Sequence, residues 1–157
     1  MRRTKITGYM LLAVFFVSLV PYAAEAASIT VKPHHFKPCV PSDTNNWQTP
    51  SEITGSAGYA KYYAVVNLPV GRRVTKLVSY HKGSGGAFTE VGLYRVRIGE
   101  KYDQIASLNT NLNTGGAFVP VTTTTITHPV VAAGYTYYVW TEVGTNNQVN
   151  AVKVKYQ

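Results

Sequence analysis

The chain has 157 residues, of which 45% are hydrophobic and 12% aromatic, with 15 Lys and Arg against seven Asp and Glu and a net charge of +8. This length is enough for one domain with a single hydrophobic core. Its one cysteine, Cys39, excludes a disulfide within the chain, so the fold depends on that core. An odd cysteine in an exported protein indicates a buried thiol, a bridge between molecules or a reactive group.

The first 26 residues have the pattern of a cleavable secretory signal. A basic start over 1–5 precedes an apolar run over 9–20. The run is shorter than the roughly 20 apolar residues that a membrane span needs. Ala24 and Ala26 place small residues at the positions that signal peptidase recognises. We therefore expect a signal peptide over 1–26 and a secreted or cell-surface protein with no membrane span after cleavage; an uncleaved anchor is the alternative.

The charge of the exported part limits its partners. Removing the signal leaves 131 residues and takes away three basic residues and one acidic residue, so the net charge becomes +6. Basic proteins bind nucleic acid, anionic membrane surfaces or acidic polysaccharides. Here the basic residues are scattered and form no basic arm, which favours a solvated sheet face and makes nucleic acid an unexpected partner.

Beyond the signal, no segment has helical periodicity, and strand patterns alternate with turn residues. A first strand over 28–32 ends at Pro33, and an irregular segment rich in Pro, Asn, Thr and Ser follows over 34–56. We divide this single domain into an N-terminal strand with its irregular segment, 27–58, and a body, 59–157. The strands predicted in the body are 59–67, 73–81, 87–98, 104–108, 119–128, 135–143 and 148–156.

Two of these strands indicate which side chains should face water and which should face the core. Four consecutive threonines, 122–125, suit a half-exposed or edge strand, because β-branching favours an extended backbone and the hydroxyl tolerates water. In the last strand Val152 and Val154 should face the core, with Lys153 and Lys155 facing out. About eight strands with short links predict an all-β fold, a two-sheet antiparallel β-sandwich that is jelly-roll-like.

Five short motifs follow one another along the body: LPVGRRVT at 68–75, LYR at 93–95, IAS at 105–107, YTYY at 135–138 and VKVKY at 152–156. In this order they resemble the motifs of a widespread group of small exported bacterial β-sandwich domains of uncharacterised function. The motifs are turns and strand cores, so the resemblance implies the fold and supplies no catalytic or binding residues. The chain differs from the group at 81–86, where other members carry acidic residues.

The chain offers few catalytic groups. His34 and His35 are adjacent on an extended segment and point to opposite sides, so they would need further ligands to hold a metal. A glycosidase needs two facing carboxylates. Glu90 and Glu142 lie in predicted strands where they could face one another, but outward glutamates paired with Lys or Arg are the commoner arrangement. We expect no enzyme, no cofactor and no metal.

The aromatic residues are the most suggestive feature. Twelve tyrosines and two tryptophans are many for this length. Tyrosine suits strands and cross-strand pairs, which accounts for most of them. Exposed aromatic rings also stack on sugars, and Trp47, Tyr59 and Tyr102 are the candidates for glycan stacking.

Two functions therefore compete. The favoured one is a non-enzymatic structural or interaction module of the cell surface or extracellular matrix that can self-assemble or bind another surface protein. Its N-terminal strand would pair with the exposed edge of a neighbouring subunit, with Ile29, Val31 and Cys39 as candidate intermolecular contacts. The alternative is a glycan-binding domain, resembling carbohydrate-binding modules, that holds a polysaccharide on exposed Tyr and Trp.

Overall fold

A computed structural model of the chain describes residues 26–40, 51–55 and 58–157. Most of the predicted signal peptide, and Trp47, therefore lie outside the described residues. Within them a 3₁₀ turn covers Pro33–His35, and no helix is long and apolar enough to cross a membrane. The strands are β1 (Ala27–Val31), β2 (Lys37–Pro38), β3 (Ile53–Thr54), β4 (Ala60–Val66), β5 (Val74–Lys82), β6 (Thr89–Val96), β7 (Asp103–Thr110), β8 (Val119–Thr123), β9 (Thr136–Val143) and β10 (Gln148–Tyr156).

These strands form two antiparallel sheets. The first has the order β1-β10-β5-β8, with β3 also pairing with β10, and the second has the order β2-β4-β9-β6-β7. Consecutive strands lie in opposite sheets, except that β6 and β7 form a hairpin within the second sheet. Such crossing between two sheets of four long strands is the jelly-roll arrangement. The predicted all-β, two-sheet antiparallel sandwich is confirmed.

The core lies between the sheets and follows from strict alternation along the strands. In β4 alternate residues from Ala60 to Val66 are buried, while Lys61, Tyr63 and Val65 between them are exposed. Each buried apolar side chain contributes about 25 cal/mol per Å² of surface removed from water. The same alternation leaves a complete second set of side chains on the outer face of each sheet.

All eight predicted strands are present, and the structure corrects their ends and number. β2 and β3 lie in the segment predicted to be irregular, where each pairs through only two residues. β8 is an edge strand as predicted, but it ends at Thr123, so half of the threonine run lies beyond it. β6 ends at Val96, and Ile98 is fully exposed in the following turn.

The N-terminal strand has its partner inside the chain. β1 pairs with β10 along its whole length, from Ala27 opposite Tyr156 to Val31 opposite Val152. Val31 is only 3% exposed, and Ile29 packs partly buried against the core. The sequence predicts a strand free to join a neighbouring subunit; the structure instead uses these two side chains to close the molecule's own sandwich.

Candidate functional site

The outward side of the second sheet, called the aromatic face below, is built from alternate residues of β4, β9, β6 and β7. Antiparallel register aligns these residues in rows that cross the strands. In the central row Tyr63 lies opposite Trp140, and Trp140 lies opposite Gly92. Outward residues on one strand are about 7 Å apart, so rings in neighbouring rows are close enough to contact one another.

Tyr94, one row from Gly92, is the centre of an aromatic cluster. Its ring stacks on that of Tyr138, with centroids 5.5 Å apart and planes at 14°. The rings of Tyr102 and Trp140 meet it edge to face, at 5.6 and 6.3 Å. These are favourable separations for aromatic pairs. Four rings from two strands, β6 and β9, and the segment before β7 therefore form a continuous aromatic surface.

Two backbone features set the position of the Tyr94 ring. A β-bulge adds one residue to β7, so that Leu93 lies opposite Ala106 but Tyr94 lies opposite Gln104. Gly92 leaves the space beside Tyr94 open, because a Cβ there would overlap the tyrosine ring. The Tyr94 ring can therefore lie over the backbone of its own strand, and it accepts a 2.8 Å hydrogen bond at Oη from the side-chain amide of Gln104.

The phenols of Tyr94 and Tyr138 stay protonated at neutral pH. Burial raises the pKa of Tyr94 above its usual value near 10, although the hydrogen bond from Gln104 opposes the shift. Burial also raises the pKa of Tyr138, with smaller contributions from Tyr102 and Cys39. Each hydroxyl can thus act as a hydrogen-bond donor as well as an acceptor.

A charged row crosses the face on the other side of the central row. Lys61 lies opposite Glu142, which lies opposite Glu90. Lys61 Nζ is 3.7 Å from a Glu142 carboxylate oxygen, and Ser107 Oγ donates a 3.4 Å hydrogen bond to Glu90. The two glutamates face one another as the sequence indicated, and one is paired with a lysine. Among the described residues Glu90 has no ion pair, so the row carries one more negative charge than positive.

The cluster and the charged row together line an open groove of about 340 Å³. Its lining consists of Lys61, Glu90, Tyr94, Tyr102, Tyr138 and Trp140. A larger groove of about 600 Å³ runs between β1 and β4, and its walls combine aliphatic residues with Tyr63, two histidines and the polar side chains of Thr30, Lys37 and Asn67. Of these two grooves in the described part of the chain, the smaller one contains the stacked tyrosine pair together with hydrogen-bonding groups.

The candidates predicted from the sequence fall in different places. Tyr102 is 66% exposed and lines the groove. Tyr59 lies at the opposite end of the aromatic face, where its ring meets that of Phe88 with centroids 4.7 Å apart. Cys39 is exposed directly after β2, and its backbone N–H donates a 2.8 Å hydrogen bond to the carbonyl of Lys61.

Sequence analysis missed the centre of the groove, which is Tyr94, Tyr138 and Trp140. The signal was present in β9, where Tyr138 and Trp140 alternate with Val139 and Thr141. Alternation puts the two rings on one face but does not say which face is outward. In the described part of the chain, no three or more His, Cys, Asp or Glu side chains are grouped so that they could hold a metal ion.

No protein-family model and no curated protein matches this sequence. Among solved structures, the C-terminal CBM6 of LamC, a marine laminarinase from Zobellia galactanivorans, superposes with a TM-score of 0.52 at 12% identity, covering 82% of this chain and 98% of that one. The carbohydrate-binding module CBM6cm-2 of Cellvibrio mixtus lichenase 5A, solved with cellotriose, gives a TM-score of 0.46 at 13% identity, covering 80% and 95%. The first likeness shows the β-sandwich fold. The resemblance to exported bacterial domains stays a prediction.

Proposed function

We propose that the protein is a non-catalytic glycan-binding module that holds a polysaccharide chain in the groove of the aromatic face. The observation that carries the proposal is the cluster of Tyr94, Tyr138, Trp140 and Tyr102 on an outer sheet face. Tyrosine and tryptophan present a flat apolar surface with one polar tip, which suits the apolar faces and hydroxyls of sugars. A contiguous aromatic surface exposed to water indicates an interaction site.

The dimensions of the groove favour a chain over a single sugar. It extends from Lys61 on β4, across β9 and β6, to Tyr102 just before β7. Three inter-strand spacings of about 4.8 Å give roughly 14 Å, which is longer than one sugar ring. Hydrogen-bonding groups flank the rings along this path, among them the carboxylate of Glu90 and the amide of Gln104.

The fold and the expected location are compatible with this function. The solved structure that shares the fold at a TM-score of 0.52 is named as a CBM6 of a laminarinase. Since one fold hosts many functions, the likeness adds only that such a sandwich can carry a glycan site. Export through the signal peptide expected over 1–26 would bring the module to the cell surface or medium, where polysaccharides are found.

A truncation of the central tryptophan tests the proposal. Electrophoresis of the chain without residues 1–26 through gels containing single soluble polysaccharides should show retardation by at least one of them. Trp140→Ala should weaken that binding about tenfold or more, the usual effect at a binding hot spot. The matched control is Phe118→Ala, which removes a partly exposed ring near Lys82, away from the aromatic face.

The results of this experiment either support or reject the aromatic face as a glycan site. Retardation that is lost in Trp140→Ala and kept in Phe118→Ala, with both variants folded by circular dichroism, supports the module. Migration of the wild-type chain that no polysaccharide alters, or equal binding by both variants, would reject the aromatic face as a glycan site.

A further inference from the structure

We infer that the groove selects neutral glycan chains against anionic ones, and that Glu90 is the residue that discriminates between them. This inference rests on the proposed function and names its ligand class. The inference runs against the net charge of +6 of the exported part, which on its own would favour acidic polysaccharides.

The charged row beside the groove has the opposite sign to the molecule as a whole. Lys61 and Glu90 line the groove, and Glu142, which lies between them in the row, is paired with Lys61 and leaves the Glu90 carboxylate as the unbalanced charge of the row. That carboxylate is half-buried, one row from the Trp140 ring, and is directly opposite Glu142 in the sheet. A sugar carboxylate or sulfate lying in the groove would meet the Glu90 carboxylate, while the lysine of the lining, Lys61, is already paired with Glu142.

Distant lysines do not reverse this balance. Lys37 is the exposed basic residue paired with Tyr63 at the edge of the face, on β2. From β2 to β6 there are three inter-strand spacings, roughly 14 Å. The Debye length in physiological salt is about 8 Å, so the charge of Lys37 is largely screened at Glu90. Nearer the lining, Arg95 is paired with Asp103, and Lys101 adjoins Tyr102 at the end of the groove away from the charged row.

The Glu90 carboxylate strengthens the binding of a neutral polysaccharide and weakens the binding of an anionic one. Sugar hydroxyls are donors, and hydrogen bonds from a donor to an ionised carboxylate are stronger than those between neutral groups. Glu90 receives from the protein one long hydrogen bond, 3.4 Å from Ser107, and so retains acceptor capacity for a ligand. The same carboxylate therefore attracts hydroxyls and repels acidic groups.

A second aromatic pair lies on the far side of the charged row from the cluster around Tyr94. The rings of Tyr59 and Phe88 meet beyond the charged row, next to Gly144, where a Cβ would overlap the Phe88 carbonyl oxygen and come within 3.2 Å of the Tyr59 ring. The row thus lies between this pair and the cluster around Tyr94. A chain long enough to use both aromatic patches must cross the charged row that contains Glu90.

Matched polymers that differ in charge test the inference. Hydroxyethyl cellulose with carboxymethyl cellulose, and methyl-esterified galacturonan with free galacturonan, are the probes for affinity electrophoresis in physiological salt. Binding that depends on Trp140 is measured for each polymer as the difference between the wild type and Trp140→Ala. In at least one pair, the neutral member should bind more tightly than its charged counterpart.

Three charge variants test which residue sets the ratio of binding to neutral and anionic polymers. Glu90→Gln keeps the shape of the side chain and should shift the binding ratio toward the anionic polymer by roughly tenfold, as relief of a close like-charge contact allows. Lys61→Gln should shift the ratio the other way. Glu52→Gln makes the same charge change next to β3 in the first sheet and should leave the ratio unchanged.

Tighter Trp140-dependent binding to the anionic member in every pair that binds would overturn the inference and leave the proposed function standing. So would a ratio that neither Glu90→Gln nor Lys61→Gln changes. Absence of Trp140-dependent binding to all four polymers and to the wider polysaccharide panel would reject both.

Discussion

At the scale of single residues, Gly92 is the position that shapes the aromatic face. The space that its missing side chain leaves is filled by the Tyr94 ring, which contacts three other aromatic rings. Glycine weakens a strand interior because it has no side chain to pack and loses more backbone entropy on folding. Its presence in the middle of β6 is therefore explained by the ring it accommodates.

Gly92→Ala should accordingly weaken polysaccharide binding and leave the stability of the fold nearly unchanged. The added methyl group would displace the mobile end of Tyr94, whereas alanine is the better strand residue. We expect polysaccharide retardation to fall towards that of Trp140→Ala while the melting temperature changes little. Affinity electrophoresis and thermal denaturation measure the two quantities, and unchanged binding would show that the position of the Tyr94 ring does not matter.

His81 makes a prediction about pH. It is 3% exposed, and within the described residues neither ring nitrogen has a hydrogen-bond partner. Burial lowers its pKa from 6.5 to about 4. Because the unfolded chain then binds a proton that the folded chain does not, stability is lost as the pH falls from about 6.5 towards 4, by at most about 3 kcal/mol.

Urea denaturation of the wild type and His81→Leu at pH 7.5 and pH 4.5 measures this contribution. The wild type should lose more free energy of unfolding than the variant between the two pH values, since carboxylates titrate in both. Equal losses in the two proteins would mean that His81 is readily protonated in the folded state.

At the scale of strands, β1 has a stabilising function that its position at the N-terminus does not suggest. Val31→Ala should lower the free energy of unfolding by about 2 kcal/mol, as expected when methyl groups are removed from a packed core. Thr30→Ala is the neighbouring control, because Thr30 is exposed and surface changes usually stay within about 0.5 kcal/mol. Equal effects of the two substitutions in denaturant titrations would contradict the pairing of β1 with β10 as a part of the core.

The strands also show what the sequence can and cannot predict. Alternation located the eight long strands within a few residues, because one buried face imposes a period of two. The aromatic cluster escaped prediction since Tyr94 and Tyr138 meet only through the pairing of β6 with β9, more than 40 residues apart in the chain. Tyrosine suits buried and exposed positions alike, so its identity did not show which side faces water.

At the scale of the whole molecule, the question is whether copies associate. β1 is paired within its own chain, and Cys39 is exposed. Light scattering after gel filtration of residues 27–157 should give the mass of one chain under reducing conditions. Under oxidising conditions a disulfide-linked dimer should form, and Cys39→Ser should abolish it.

Self-association through strand exchange stays a prediction of the sequence alone. A defined oligomer or a fibre formed by Cys39→Ser under reducing conditions would favour it and would count against the monomer expected here. Negative-stain imaging of any large species would distinguish ordered fibres from aggregates.

The pairing of β1 with β10 has a consequence for how the module can be attached to other structures. Ala27 lies beside Tyr156, so both ends of the sandwich leave from one point of the first sheet. The aromatic face is the outer side of the other sheet. A tether at either end therefore starts from the sheet that does not carry the groove. Attachment through the N-terminus, through the C-terminus or through both would therefore leave the aromatic face free of the tether.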